Sequence, residues 1–133
     1  MAAEEEAAGE ELFEGIPYSQ LRIDSADWEH RAEYIRTRST RYGPNEFDVE
    51  PEWATEAVLD PDRLVGRGTS TTSIQVVGRS RAAPGRIPEE VGRVLKVWLV
   101  PKDHPPVSGD WWGASACDGN ERDRQAYKEG GQE

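Results

Sequence analysis

Trp111 to Gly131 reads WWGASACDGNERDRQAYKEGG, and this stretch sets the frame for the whole chain. Two tryptophans and a run of small residues, Trp111 to Cys117, predict a last strand. Asp118-Gly119 breaks it. Asn120 with Asp123 three residues on has the spacing of a capping box, so NERDRQAYKE predicts a helix that ends at Gly130-Gly131. A final strand that feeds a capped, highly charged helix implies a sheet with one helix at its carboxyl end.

Working back, Arg93 to Val100, RVLKVWLV, alternates and is the strongest strand signal in the chain, and Ser73 to Arg79, SIQVVGR, alternates as well. The Pro/Gly/Arg segment between them is too long for a tight hairpin, and a Pro-rich connection follows Pro101. Three successive strands predict an antiparallel meander. Before it, Pro51 suits the first turn of a helix whose apolar stripe is Trp53, Ala54, Ala57 and Val58 and which Asp60-Pro61 stops. Further back, Asp24 or Ser25 is placed to cap a helix running to Gly43-Pro44. Trp28, Ala32, Ile35, Ser39 and Tyr42 give that helix one packing stripe. Arg31, Tyr34, Arg38 and Arg41 occupy another face, which suits either solvent or phosphate. Tyr18 to Ile23 predicts a first strand. The expected fold is α+β, in the order β-α-α-β-β-β-α, with a small antiparallel sheet, two helices on one face and a C-terminal helix.

The chain has 133 residues, suited to one domain with a modest core; 35% are hydrophobic and 32% charged, with a net charge of -10. Residues 1–15 hold six Glu and no base, and predict an acidic disordered tail ahead of a single domain over 16–133. The remainder carries 20 acids against 16 bases, so any nucleic-acid contact must come from a local patch rather than from the whole surface. No apolar run approaches the ~20 residues of a membrane span, and no signal-peptide pattern opens the sequence. A single cysteine, Cys117, leaves no intrachain disulfide and fits a reducing, cytoplasmic location. A Gly-rich phosphate loop, a metal-ligand cluster and triad spacing are all absent from the sequence, which speaks against a metabolic enzyme.

Strand alternation divides the sheet into an apolar face and a polar one. Gln75, Arg79, Lys96, Trp98, Ser115 and Cys117 are expected on the polar face, with Trp112, Ala114 and Ala116 opposite. Bases beside an aromatic ring are what hold RNA, through phosphate contact and stacking.

The layout resembles the BrnT family, toxins of type II toxin–antitoxin modules with a RelE-like fold, over about residues 18–129. The resemblance is carried by the helix end Arg41-Tyr42-Gly43, by Val58-Leu59-Asp60-Pro61, and by Ile74-Gln75-Val76-Val77-Gly78 followed by Gly92-Arg93-Val94-Leu95-Lys96-Val97. It continues in Ala114-Ser115-Ala116-Cys117 and Glu121-Arg122-Asp123-Arg124-Gln125-Ala126-Tyr127. It implies a metal-independent endoribonuclease with no cofactor. It also implies a co-encoded antitoxin, usually of ribbon-helix-helix type, that forms a hetero-oligomer with the toxin. This chain carries Cys117, Ser73 and Tyr42 where the family has Arg, Arg and His. Arg79, Lys96, His30 and Arg122 are the candidate catalytic replacements. Arg38, Arg41, Trp98, Ser115, Arg124 and Tyr127 are the candidate RNA contacts, since such an enzyme needs bases on the scissile phosphate and a general acid/base. The competing expectation is a non-catalytic relative that binds an antitoxin-like regulator.

Overall fold

The computed structural model describes residues 11–130. Among the described residues are seven strands: β1 Leu12–Phe13, β2 Ile16–Pro17, β3 Ser25–Asp27, β4 Leu64–Arg67, β5 Ile74–Ser80, β6 Arg93–Pro101 and β7 Asp110–Asp118. The helices are α1 Ala32–Arg36, α2 Arg38–Tyr42, α3 Pro51–Val58 and α4 Glu121–Gly130. The fold is α+β. A five-stranded sheet runs in the order β3-β7-β6-β5-β4, and β1 and β2 form a separate hairpin.

The meander β5-β6-β7 and the helix behind Pro51 stand where the sequence put them. Asn120 and Asp123 close their capping box: the Asn120 N–H donates to Asp123 Oδ2 at 2.9 Å and the Asp123 N–H to Asn120 Oδ1 at 2.8 Å. Four expectations need correction. The sheet is mixed, because β3 pairs parallel to β7. The first strand of the five-stranded sheet lies at Ser25–Asp27 rather than at Tyr18–Ile23, where Tyr18–Gln20 makes a 3-10 turn instead. β4, absent from the expected order, adds an antiparallel edge. The long helix expected up to Tyr42 is two short ones separated at Thr37, whose φ of -119° and ψ of 29° are not helical. Thr37 Oγ1 donates to the Glu33 carbonyl at 2.7 Å, a side-chain bond of the kind that bends helices. The break turns Tyr42 out of the expected packing stripe, to 55% exposure.

The expected tail boundary also moves. Phe13 is 4% exposed and packs near Tyr18 and Trp111, each ring centre 6.1 Å away, so residues 11–15 belong to the folded unit. The rest of the expected tail lies outside the described residues.

The core lies between α3 and one sheet face, with Ala54, Ala57 and Val58 of the helix against Ile74, Val76, Leu95, Val97 and Leu99. Gly78 permits this approach, since a Cβ there would stand 2.0 Å from the Ala57 carbonyl oxygen. A β-bulge then reverses part of the expected facing. Trp98 pairs with Ser115 but Leu99 pairs with Gly113, so Ala114 is the extra residue. Beyond it, Trp111 is fully buried in the core, with its indole N–H on the Arg22 carbonyl at 2.8 Å, and Trp112 moves to the opposite face. Gly113 faces the core under the Trp28 ring, where a Cβ would stand 2.4 Å from the indole.

Candidate nucleic-acid interface

The polar sheet face is divided in two. α4 closes one half and buries Val77 and Val94 beneath it. Lys96 Nζ lies 3.0 Å from Asp123 Oδ2, with the two side chains 17% and 10% exposed. At the far side of α4, Tyr127 donates to Asp60 Oδ2 at 2.6 Å, and the Arg79 backbone N–H donates to the same oxygen at 2.8 Å. Burial, then the bond to Asp60, pushes the Tyr127 hydroxyl up to about 12. Burial pulls Asp60 upward too, but the Tyr127 hydroxyl and the N–H groups of Asp62 and Arg79 outweigh it and hold the carboxyl below its ordinary value.

The other half is open. Trp98, Val100, Ala114 and Ser115 of the sheet face Arg31, Tyr34, Arg38 and Tyr42 of the α1–α2 segment across a cavity of about 470 Å³, and Thr69, Ser70 and Ser73 complete its wall. The Trp98 Nε1–H is buried and has no acceptor among the described residues. A buried donor left unpaired costs about 1–3 kcal/mol, which the packing around the indole must offset.

The basic face of α1–α2 is ordered by its own aromatic rings. The guanidiniums of Arg31 and Arg41 each lie 3.8 Å from the centre of the Tyr34 ring, and that of Arg38 lies 4.7 Å from the centre of Tyr42. Cation–π geometry of this kind fixes long side chains at low cost. Arg31 Nε also donates to the Ala114 carbonyl at 2.8 Å, Arg38 Nε donates to Glu46 at 2.8 Å, and Arg41 donates to Thr37 Oγ1 at 3.0 Å and to the Tyr34 carbonyl. The hydroxyls of Tyr34 and Tyr42 are 3.4 Å apart. That hydrogen bond, with the charges of Arg41, Arg31 and Arg38, holds the Tyr34 hydroxyl below the usual tyrosine range despite partial burial. Guanidiniums grouped around two phenols, beside an indole and a serine, can bind an anion at one place.

The residues singled out in the sequence are therefore distributed. Trp98, Ser115 and Arg38 meet in the open cavity, and Arg41 stands behind it against Tyr34. Lys96 approaches Trp98, at 5.9 Å from a ring centre, but is engaged by Asp123. Arg79 lies beyond α4, with Nη1 donating to the Val91 carbonyl at 2.6 Å and Tyr127 beside it. Arg124 ties down the start of α4 through the Gly119 carbonyl at 2.7 Å, and Arg122 is exposed on the helix's outer side. His30 is exposed, 5.1 Å from Trp112. Cys117 sits on the polar face next to Lys96, where burial pushes its thiol up despite the nearby Arg38 and Lys96, as for a packing residue. Arg31, Tyr34, Tyr42, Ser70 and Ser73 complete the cavity without having been chosen as site residues. The recurrence of Arg31, Tyr34, Arg38 and Arg41 was the signal for the first two. The family pattern marked Tyr42 and Ser73, and nothing local marked Ser70.

Among the described residues no group of three or more His, Cys, Asp or Glu side chains is placed to hold a metal ion, and no helix is long and apolar enough to cross a membrane. Comparison of the chain with protein-family models, with curated proteins and with solved structures finds no match.

Proposed function

We propose that the chain is the toxin component of a type II toxin–antitoxin module, with a RelE/BrnT-like fold, and that it is an endoribonuclease whose site is the open cavity between α1–α2 and the sheet. The observation that carries the reading is the cavity itself: Trp98 and Ser115 on one side, and Tyr34, Tyr42, Arg31 and Arg38 on the other. Two of the three positions where the chain departs from the family pattern, Tyr42 and Ser73, line that cavity, and the third, Cys117, is two residues from Ser115 on the same strand. The changed residues thus cluster around one site, as expected where the chemistry has been replaced rather than lost.

In this reading the bases of a single strand stack on Trp98 and the guanidiniums hold the phosphate. Tyr34 acts in its phenolate form, which takes the 2′-hydroxyl proton as the 2′-oxygen bonds to phosphorus and the bond to the 5′-oxygen breaks. The leaving oxygen takes its proton from water, and the products are a 2′,3′-cyclic phosphate and a 5′-hydroxyl. Neutralisation is by a co-encoded antitoxin, of ribbon-helix-helix type, that occupies the same cavity. A second reading, a non-catalytic regulator-binding relative, is favoured by the engagement of Arg38 with Glu46 and of Lys96 with Asp123.

The test is incubation of the full chain with end-labelled single-stranded RNA in EDTA. Cleavage with cyclic-phosphate ends that falls at least 100-fold in Tyr34→Phe, while RNA binding stays within a few-fold, supports the nuclease. Binding without cleavage in the wild type selects the second reading. Absence of both RNA binding and growth inhibition on expression sinks the toxin reading altogether.

A further inference from the structure

The open cavity has a neighbour. A second hollow, of about 390 Å³, is lined by His30, Arg31, Val100, Trp112, Gly113 and Ala114. It shares Arg31, Val100 and Ala114 with the Trp98 cavity, so the two lie side by side with the same residues between them. The strand register explains the pairing. Trp98 lies opposite Ser115 and Val100 opposite Trp112, so the two indoles leave the same face from diagonal cross-strand positions, whose backbones in a regular ladder lie roughly 7–8 Å apart. Anchor positions spaced at about twice the ~3.4 Å rise of a stacked strand suit two splayed bases rather than two stacked ones.

Arg31 stands at the junction. Its Nε is anchored on the Ala114 carbonyl and its guanidinium lies 3.8 Å from the Tyr34 ring centre, while its two Nη groups make no hydrogen bond among the described residues. A guanidinium held in place with its outer donors free is prepared for a bidentate anion. Lys102, 4.1 Å from the Trp112 ring centre and bonded to Asp27 at 2.8 Å, does not line the second hollow.

We propose that Trp112 is a second base-stacking subsite, so that the site takes two consecutive unstacked nucleotides of single-stranded RNA, one on Trp98 and one on Trp112, with Arg31 on the phosphate between them. The inference rests on the reading that the Trp98 cavity holds RNA, and extends it to a minimal substrate. The chemistry of the two walls differs. Around Trp98 the hydroxyls of Ser70, Ser73 and Ser115 can read a base edge, whereas the hollow beside Trp112 has only His30 and Arg31 as polar lining, with Lys102 against the ring outside it. The first subsite therefore selects a base and the second accepts any.

The experiment measures binding of two uncleavable probes to the full chain, a 2′-O-methyl mononucleotide 3′-phosphate and a 2′-O-methyl octamer. Base–aromatic stacking supports an expected loss of roughly 5- to 150-fold for the octamer in Trp112→Ala, with the mononucleotide affinity within twofold of wild type. Trp98→Ala should weaken both probes. Because Trp112 is half-buried, Trp112→Tyr and Trp112→Leu separate stacking from packing: Tyr should restore most of the octamer affinity and Leu should not. Octamer binding unchanged in Trp112→Ala but lost in Trp98→Ala overturns the second subsite and leaves the RNA reading intact. Equal losses in the Tyr and Leu variants also overturn it. A wild-type chain that binds neither probe defeats the inference together with the reading beneath it.

Discussion

Lys96 can be tested as a structural residue rather than a free base. Its ammonium lies 3.0 Å from Asp123 Oδ2, the same oxygen that accepts the Asn120 N–H in the capping box. Replacing Lys96 by Gln removes the counter-charge from a carboxylate that is only 10% exposed and that also starts α4. Breaking a fully buried pair costs 3–5 kcal/mol and an exposed pair contributes 0–1 kcal/mol; at 17% and 10% exposure the expected loss is about 2–3 kcal/mol. For a domain of this length that is a fall in Tm of roughly 10 °C. The assay is thermal unfolding of wild type, Lys96→Gln, Asp123→Asn and the double variant. The pair predicts that the double variant is less destabilised than the sum of the single ones, because each single change leaves an unpaired partner. A Lys96→Gln variant that melts within 1 °C of wild type, or strict additivity, would refute the reasoning and return Lys96 to the candidates for substrate contact.

Three further outcomes are expected. Phe13→Ala should cost about 3 kcal/mol by chemical denaturation, since the ring is buried with Tyr18 and Trp111, whereas removal of residues 1–10 should leave Tm unchanged. Gly78→Ala should destabilise by at least about 1–3 kcal/mol, because its Cβ would collide with the Ala57 carbonyl and push α3 off the sheet; retention of wild-type Tm would mean that α3 is not seated there. Stability should fall as pH rises from ~10 to about 12, because the unfolded chain releases the Tyr127 proton near 10 while the folded chain holds it to about 12; Tyr127→Phe should flatten that decline in denaturant titrations across the range.

What was legible in the sequence had a local cause. The Asn120–Asp123 spacing, Pro51 at a helix start and the alternation of Arg93–Val100 each act within a few residues, and each element formed as expected. What was not legible depended on tertiary partners. Ser25–Asp27 becomes a strand only because β7 offers it a parallel edge, and β4 only because β5 does. Lys96 and Trp98 leave the same strand face, as alternation required, yet alternation does not say that α4 closes over one and leaves the other open. The site residues divided in the same way. Trp98, Ser115 and Arg38 were accessible through strand facing and helix periodicity, whereas the 69–73 loop reaches the cavity by a path that no spacing encodes.

The placement of the bulge has the widest consequence. With unbroken alternation beyond Trp98–Ser115, Leu99 would face Ala114, Val100 would face Gly113, and Pro101 would face Trp112. Trp112 would then point into the core and Trp111 onto the polar face. The extra residue at Ala114 inverts this. It buries Trp111 against Phe13 with its N–H on Arg22, and frees the Ala114 carbonyl from the regular pairing, so that it accepts from Arg31 Nε. One inserted residue thus does three things: it fills the core with one indole, presents the other beside Trp98, and fixes the guanidinium between the two hollows. A bulge beside a site commonly re-aims a side chain in this manner, and here a fold whose net charge is -10 gathers Arg31, Arg38 and Arg41 along one wall rather than relying on its overall field. Binding through such a local cluster should weaken with salt in proportion to those few contacts and not to the charge of the chain.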